Sequence, residues 1–446
     1  MQTIHLTMGK SNEVDKKREN TIFFVLLFWV FLGAKAIPLF YFVFGLSIFY
    51  WAVKRAYVDL LIGFVLVLVL ADSFQAELNV FYNIRYIYIL FLFVVVILNK
   101  KVFLPFITVH YAFVPFLFLV VICSFFNENV FLSLQKGLSY TLLFFTIPQY
   151  VQYFLRTKLQ DKFYKKLIFL YTLILLSGLF CIILYRPFVF SRIDFRYNGL
   201  FSNPNGLGLF CTIALMTFIL IKEYNHEVFT PIVNYLFIFG ISASLLLSGA
   251  RISIIGSLFF ITIYIVQKKR FFFLVMPIYL IGSFIFVFNI QFQDIAVILG
   301  MQKYFRIESI AKGSGRYVAW NYGYSKINME TILGKGFGYT EQLFFNARNE
   351  LSKFGHQGNA HNSFLTIWLD TGLLGLFYFI IGFFSIFLRT FKRSFIVLPI
   401  FIIIGFTGFL ESWLCGSLNA FTFQLLIIFT LLYSNTFFLV GFNENS

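Results

Sequence analysis

Apolar runs long enough to span a membrane recur along this chain from Thr21 to Val440, separated only by short polar breaks. A helix crossing a bilayer needs about 20 such residues, fewer where the membrane thins, and roughly 14 runs can be placed. The predicted fold is therefore an all-α polytopic integral membrane protein with about 12–14 transmembrane helices. Composition agrees: 60% of the 446 residues are hydrophobic and 12% charged, whereas a soluble domain carries about 25% charged residues. No linker and no internal repeat interrupts the pattern, so residues 1–446 read as a single membrane domain.

Residues 1–20 form a polar tail with Lys10, Lys16, Lys17 and Arg18 and no cleavage pattern, so the first span is expected to stay in the protein. Cys123, Cys181, Cys211 and Cys415 all lie in or beside apolar runs, where cysteine behaves as a small hydrophobe rather than a metal ligand or disulfide half. A net charge of +16 would suggest nucleic acid as a partner of a soluble protein. Here lysine and arginine at cytoplasmic span ends account for the excess, and no nucleic-acid role is expected.

Charge placement gives the topology. Lys54-Arg55, Lys100-Lys101, Arg156 to Lys166, Lys222, Lys268-Lys269-Arg270 and Arg389 to Arg393 fall at every second junction, which the positive-inside rule assigns to the cytoplasm. Thr21 to Val53 then has to be a hairpin of two short helices broken near Lys35 and Pro38. The opposite junctions hold Asp72 to Asn83, Asn127 to Asn129, Arg186 to Asn205, Ser248 to Arg251, Gln291 to His361, and Glu411 to Asn419. Both termini come out cytoplasmic, with 437–446 as the C-terminal tail. The 291–361 loop carries eight Lys and Arg against five Asp and Glu. Loops above about 15 residues are usually functional or contain structure of their own, and short helices are expected around Arg316 to Met329.

The chain has no HExxH, no paired CxxC, no phosphate loop and no acidic DxD pair, and His356 and His361 are poorly spaced for one helix face, so no metal site or other cofactor is expected. What gathers at the non-cytoplasmic junctions is arginine, histidine and asparagine-rich turns. A guanidinium gives phosphate two parallel charge-assisted hydrogen bonds and stays ionised when partly desolvated. Arg196 precedes Asn203-Pro204-Asn205-Gly206, a turn and helix cap; Arg251 follows Ser248-Gly249-Ala250; Arg316 follows Gly313-Ser314-Gly315. His361 and Asn362 open the next span, and histidine is the best available base near neutral pH. Each feature also has a plain structural reading. An arginine at a span end can snorkel to the headgroups, His361 can serve as an interfacial cap, and Gly334, Gly336 and Gly338 can simply shape a loop. Asp370, inside an apolar run, is either functional or a cap beside Gly372 and Gly375.

Taken in order, Arg196-x-x-Gly199 with Asn203-Pro-Asn205, Leu246-Leu-Ser-Gly-Ala-Arg251, Gly315-Arg316 to Trp320 leading to Leu333-Gly-Lys-Gly-Phe-Gly338, and His361-Asn362 to Gly372-Leu-Leu-Gly375 resemble the O-antigen polymerase/ligase family over the C-terminal half. The resemblance implies a metal-independent, GT-C-like membrane fold with a large periplasmic loop over a lipid-linked donor. Arg196, Arg251, Arg316 and His361 coincide with the family's functional positions; His361 and Arg251 are expected to be catalytic, and Arg196, Arg316, Asn205 and Asn362 to bind substrate. The implied partners are undecaprenyl-diphosphate-linked oligosaccharide, membrane lipid and, for a polymerase, a chain-length regulator protein. The implied location is the bacterial inner membrane with the site facing outward. The reading is of an inverting repeat-unit polymerase, with a ligase acting on lipid A core and a non-enzymatic transporter of lipid-linked oligosaccharide as alternatives.

Overall fold

A computed structural model describes residues 21–73, 75–103, 108–191, 195–268, 277, 315–327, 332–354 and 358–434. The expected tails at 1–20 and 437–446, the span after Arg270, and residues 291–314, 328–331 and 355–357 of the 291–361 loop, including Arg306, Glu308 and His356, lie outside the described residues.

Among the described residues thirteen apolar helices carry the fold, eight of them long and apolar enough to cross a membrane and five shorter. The first pair is α1 (Thr21–Lys35) and α2 (Ile37–Val53), broken at non-helical Ala36 with Pro38 in the first turn of α2, which is the expected short hairpin. There follow α3 (Tyr57–Ala71), α4 (Asn79–Leu98), the single turn α5 (Lys100–Phe103), α6 (Thr108–Cys123), α7 (Val130–Arg156), α8 (Gln160–Leu184), α9 (Pro204–Tyr224), α10 (Pro231–Ser248) and α11 (Arg251–Lys268). Beyond them the described residues form three short helices, α12 (Arg316–Ser325), α13 (Tyr339–Asn346) and α14 (Arg348–Ser352), then α15 (Ser363–Thr390), α16 (Val397–Leu410) and α17 (Ala420–Tyr433).

Helices α3, α9 and α17 are buried along almost every residue. Their sequences explain this, since an all-round apolar helix has no polar face to turn to a rim and takes the centre. The surrounding helices leave large side chains outward, among them Phe24, Phe31, Phe42, Phe131 and Phe180. In water such a surface would aggregate; against hydrocarbon it is the expected solvent-facing surface.

The junctions sort into two ends. At one end Lys166 of α8 is paired with Asp59 of α3 at 2.6 Å, Asn225 donates to Asp161 at 2.9 Å, and Arg393 donates to the Tyr433 carbonyl at 3.0 Å. At the other, Gln75 donates to the Phe188 carbonyl at 2.8 Å, Ser133 to that of Phe337 at 2.8 Å, and Arg196 to that of Ser248 at 2.7 Å. The second end joins the junctions that the charge pattern assigned to the non-cytoplasmic side, and is called the site end below.

One helix departs from regularity at this end. Within α15, Gly372 has φ 76° and ψ 178°, a break across which two helical pieces continue. The segment before α13 packs into it: Lys335 and Gly336 donate their backbone N–H to the carbonyls of Leu369 and Asp370 at 3.1 and 2.9 Å. A side chain at Gly372 would overlap the Ile332 carbonyl oxygen. Asp370 receives the backbone N–H groups of Gly338 and Thr340, each at 2.8 Å, and the Thr340 hydroxyl at 2.6 Å, so it caps the start of α13 from another helix. The structural role open to Asp370, a cap, is thus present, and Gly334, Gly336 and Gly338 shape the segment before α13 with positive φ.

Candidate functional site

Local sequence sets the parts of the site. Asn203 accepts from the Gly206 N–H at 2.8 Å and Pro204 fixes the first turn, so α9 starts at the site end with Asn205 in its first turn. An isolated antiparallel bridge between Phe190 and Tyr197 returns the chain so that Arg196 faces the turn after α10. That turn exists because Gly249 adopts φ 55°, ending α10 and letting Arg251 begin α11. Gly315, with φ 76°, caps the start of α12, which Arg316 opens.

These parts meet on Glu411, the residue that ends α16. Arg316 donates from Nη2 to Glu411 Oε1 at 2.7 Å and from Nε to the Leu410 carbonyl at 3.2 Å, so its charge also meets the negative end of the α16 dipole. His361 Nδ1 lies 2.9 Å from Glu411 Oε2. Asn205 Nδ2 donates to Glu411 Oε1 at 3.4 Å, and its own oxygen accepts from Arg196 Nη2 at 3.3 Å, while Arg196 Nε holds the Ser248 carbonyl. The side chains of Arg316, His361 and Glu411 are 17%, 20% and 14% exposed, which leaves them reachable yet screened little by water. Burial alone would raise the Glu411 carboxyl, but the charge and hydrogen bond of His361, then those of Arg316, hold it below its ordinary value.

Four of the six predicted site residues, Arg196, Asn205, Arg316 and His361, are thus linked through one carboxylate. Arg251 stands three residues beyond the Ser248 carbonyl that Arg196 grips, at the head of α11. Asn362 is present but its amide oxygen caps α15, accepting from Leu365 N–H at 3.0 Å, and its backbone N–H donates to Ser412. His361 itself has φ 46°, an uncommon conformation for a residue with a β-carbon, and Trp320 donates to its carbonyl at 3.4 Å. No group of three or more His, Cys, Asp or Glu suited to a metal occurs among the described residues.

Two functional-looking residues were missed by sequence reasoning. Glu411 was counted only as part of a polar junction, although a carboxylate closing an apolar run opposite several arginines was a usable signal. Arg85, inside the apolar α4, gave the signal of a charge within a span. Its guanidinium lies 3.9 Å from the Tyr82 ring centroid and donates to the Leu418 carbonyl at 3.2 Å, tying down the 411–419 loop that Glu411 begins. Near it, Asp72 accepts from Ser202 at 3.4 Å through Oδ1, whereas its buried Oδ2 has no hydrogen-bond partner among the described residues. Burial pushes the Asp72 carboxyl up to about 7, against smaller opposing effects of Ser202 and Arg85.

Fold and site together define a multi-pass helical membrane protein with a cationic, carboxylate-centred cluster at one end of its bundle. Residues 236–380 match the family model described as O-Antigen ligase, in agreement with the resemblance carried by the motifs from Arg251 to Gly375. No match was found among curated proteins.

Proposed function

We propose that the chain is a membrane glycosyltransferase that moves glycan from undecaprenyl diphosphate to a second lipid-linked repeat unit, in the assembly of O-antigen or a related surface polysaccharide. The joining of Arg316 and His361 directly, and of Arg196 through Asn205, to Glu411 carries this reading. Such a site offers fixed cations for a diphosphate and a histidine oriented by a carboxylate, with both substrates approaching from one end of the bundle.

In the proposed step, the acceptor hydroxyl oxygen forms a bond to the anomeric carbon while the bond from that carbon to the diphosphate oxygen breaks, inverting the centre. The leaving diphosphate keeps the electron pair, and Arg196, Arg251 and Arg316 stabilise its charge. Glu411, 2.9 Å from His361 Nδ1, orients the imidazole so that its Nε2 takes the proton of the acceptor hydroxyl. In this reading the site faces outward from the bacterial inner membrane: the Lys- and Arg-rich junctions at the opposite end take the cytoplasmic side under the positive-inside rule, and the arginines at the site end depart from that rule.

A second reading, transfer to lipid A core, is favoured by the description of the matching family model. The glycan profile of a deletion strain separates the two. Loss of a polymerase leaves core capped with one repeat, and loss of a ligase leaves bare core with lipid-linked polymer accumulating. The break in α15 leans toward a transporter, since broken helices are frequent there. However, the break is filled by the chain's own 332–336 segment. Turnover by purified protein in detergent, where there are no sides, distinguishes enzyme from transporter.

A further inference from the structure

A second feature of the site end has no part in the chemistry above. A cavity of about 340 Å³ opens beside the Glu411 cluster, within the usual size of small-molecule sites, about 300–1,000 Å³. The loop that Glu411 begins supplies Ser412 and Ser417 to its wall, and Asn359, two residues before His361, lines it too. The His361 N–H donates to Asn359 Oδ1 at 3.2 Å, and Ser412 Oγ accepts from the Asn362 N–H at 2.9 Å, so the cavity and the cluster share their backbone supports.

The charge of the lining is unlike that of the cluster. No arginine contributes; Lys136 is paired with Glu341, and the remaining charged residue is the buried Asp370. One cation against two carboxylates is a poor match for a diphosphate. Hydroxyl groups and, of its three phenylalanines, one exposed ring are what the wall does offer. Ser417, Asn359 and the Lys136–Glu341 pair present donors and acceptors, and Phe345, 71% exposed at the rim, presents a ring. An uncharged sugar has the complementary surface: hydroxyls around its edge and C–H groups on its face.

We infer that this cavity is the subsite for the acceptor saccharide, seating the sugar whose hydroxyl is presented to His361 while the donor's diphosphate stays with the arginines. The inference rests on the transferase reading for the roles of the two substrates, but the binding of a sugar there does not.

The test uses the purified full chain and, as probe, the repeat-unit oligosaccharide freed from its lipid by mild acid. Wild type should bind the probe. Ser417→Trp, which fills the cavity, and Phe345→Ala, which removes an exposed ring at little cost to folding, should each weaken binding at least about tenfold, with undecaprenyl diphosphate binding unchanged. Should Ser417→Trp fail to fold, Phe345→Ala decides alone. Unaltered probe affinity in the folded variants, or no binding by wild type, overturns the subsite. If probe binding is lost as expected while wild type transfers no glycan, the transferase reading fails and the saccharide subsite stands. If wild type transfers glycan and the variants keep its acceptor KM, only the subsite fails.

Discussion

Glu411 holds one negative charge between Arg316 and His361, and it is the least exposed of the three side chains. Removing one partner of a buried pair typically costs about 3–5 kcal/mol, because the other charge is left uncompensated. Glu411→Gln should accordingly lower the melting temperature, and because His361 loses the carboxylate that orients it, should also slow transfer by about 100-fold or more. The pH dependence follows from the direction of its shift. With the folded value held below the ordinary 4.5, the cluster's stabilisation is complete above that pH and is lost as pH falls through the lowered value. Asp72 works the other way: the unfolded chain ionises near 3.8 and the folded one near 7, so the fold loses stability as pH rises between the two. Melting curves at pH 5 and pH 8 should show a larger drop for wild type than for Asp72→Asn, and equal drops would contradict the burial of a carboxyl with only one of its oxygens hydrogen-bonded among the described residues. For Arg251, Arg251→Lys keeps the charge and loses the planar fork, and turnover should fall by an order of magnitude or more. The arginines and His361 were legible in the sequence by their placement at span ends. Their common partner was not, since Glu411 lies 95 residues from Arg316 and 50 from His361 and only the packed bundle joins them.

The elements themselves follow directly from hydropathy, since hydrocarbon leaves a spanning backbone few options other than a helix. The Lys35–Pro38 break and a helix beginning at Arg316 were both expected and are both present, the latter ending at Ser325. The interruption of α15 was not legible, because Gly372-Leu-Leu-Gly375 inside an apolar run has the pattern of an ordinary span. Its cause is tertiary: the 332–336 segment occupies the space that a β-carbon at Gly372 would take. The φ/ψ values there belong to a region essentially restricted to glycine, costing other residues of order 1–3 kcal/mol before any overlap is counted. Gly372→Ala should therefore displace this segment, lower the melting temperature in detergent by several degrees and reduce transfer. A variant with wild-type melting and activity would show that the break is not needed.

At the scale of the whole molecule, alternating charge foretold which junctions share an end, and contacts such as Arg196 to Ser248 and Arg316 to Glu411 join the arginine-bearing ones. The sidedness proposed for that end can be probed with Ser325→Cys, an exposed position at the end of α12. A membrane-impermeant thiol reagent added outside intact spheroplasts should label it, and labelling only after lysis would put the cluster on the wrong side for its donor. The account depends most on charge fixed around Glu411 driving departure of a lipid diphosphate. Transfer of glycan between lipid-linked repeat units by the purified chain, wild type against Glu411→Gln, tests this without reference to sidedness. The prediction is longer lipid-linked glycan with wild type and a rate lower by about 100-fold or more in the variant; undiminished transfer by Glu411→Gln, or none by wild type, would contradict it.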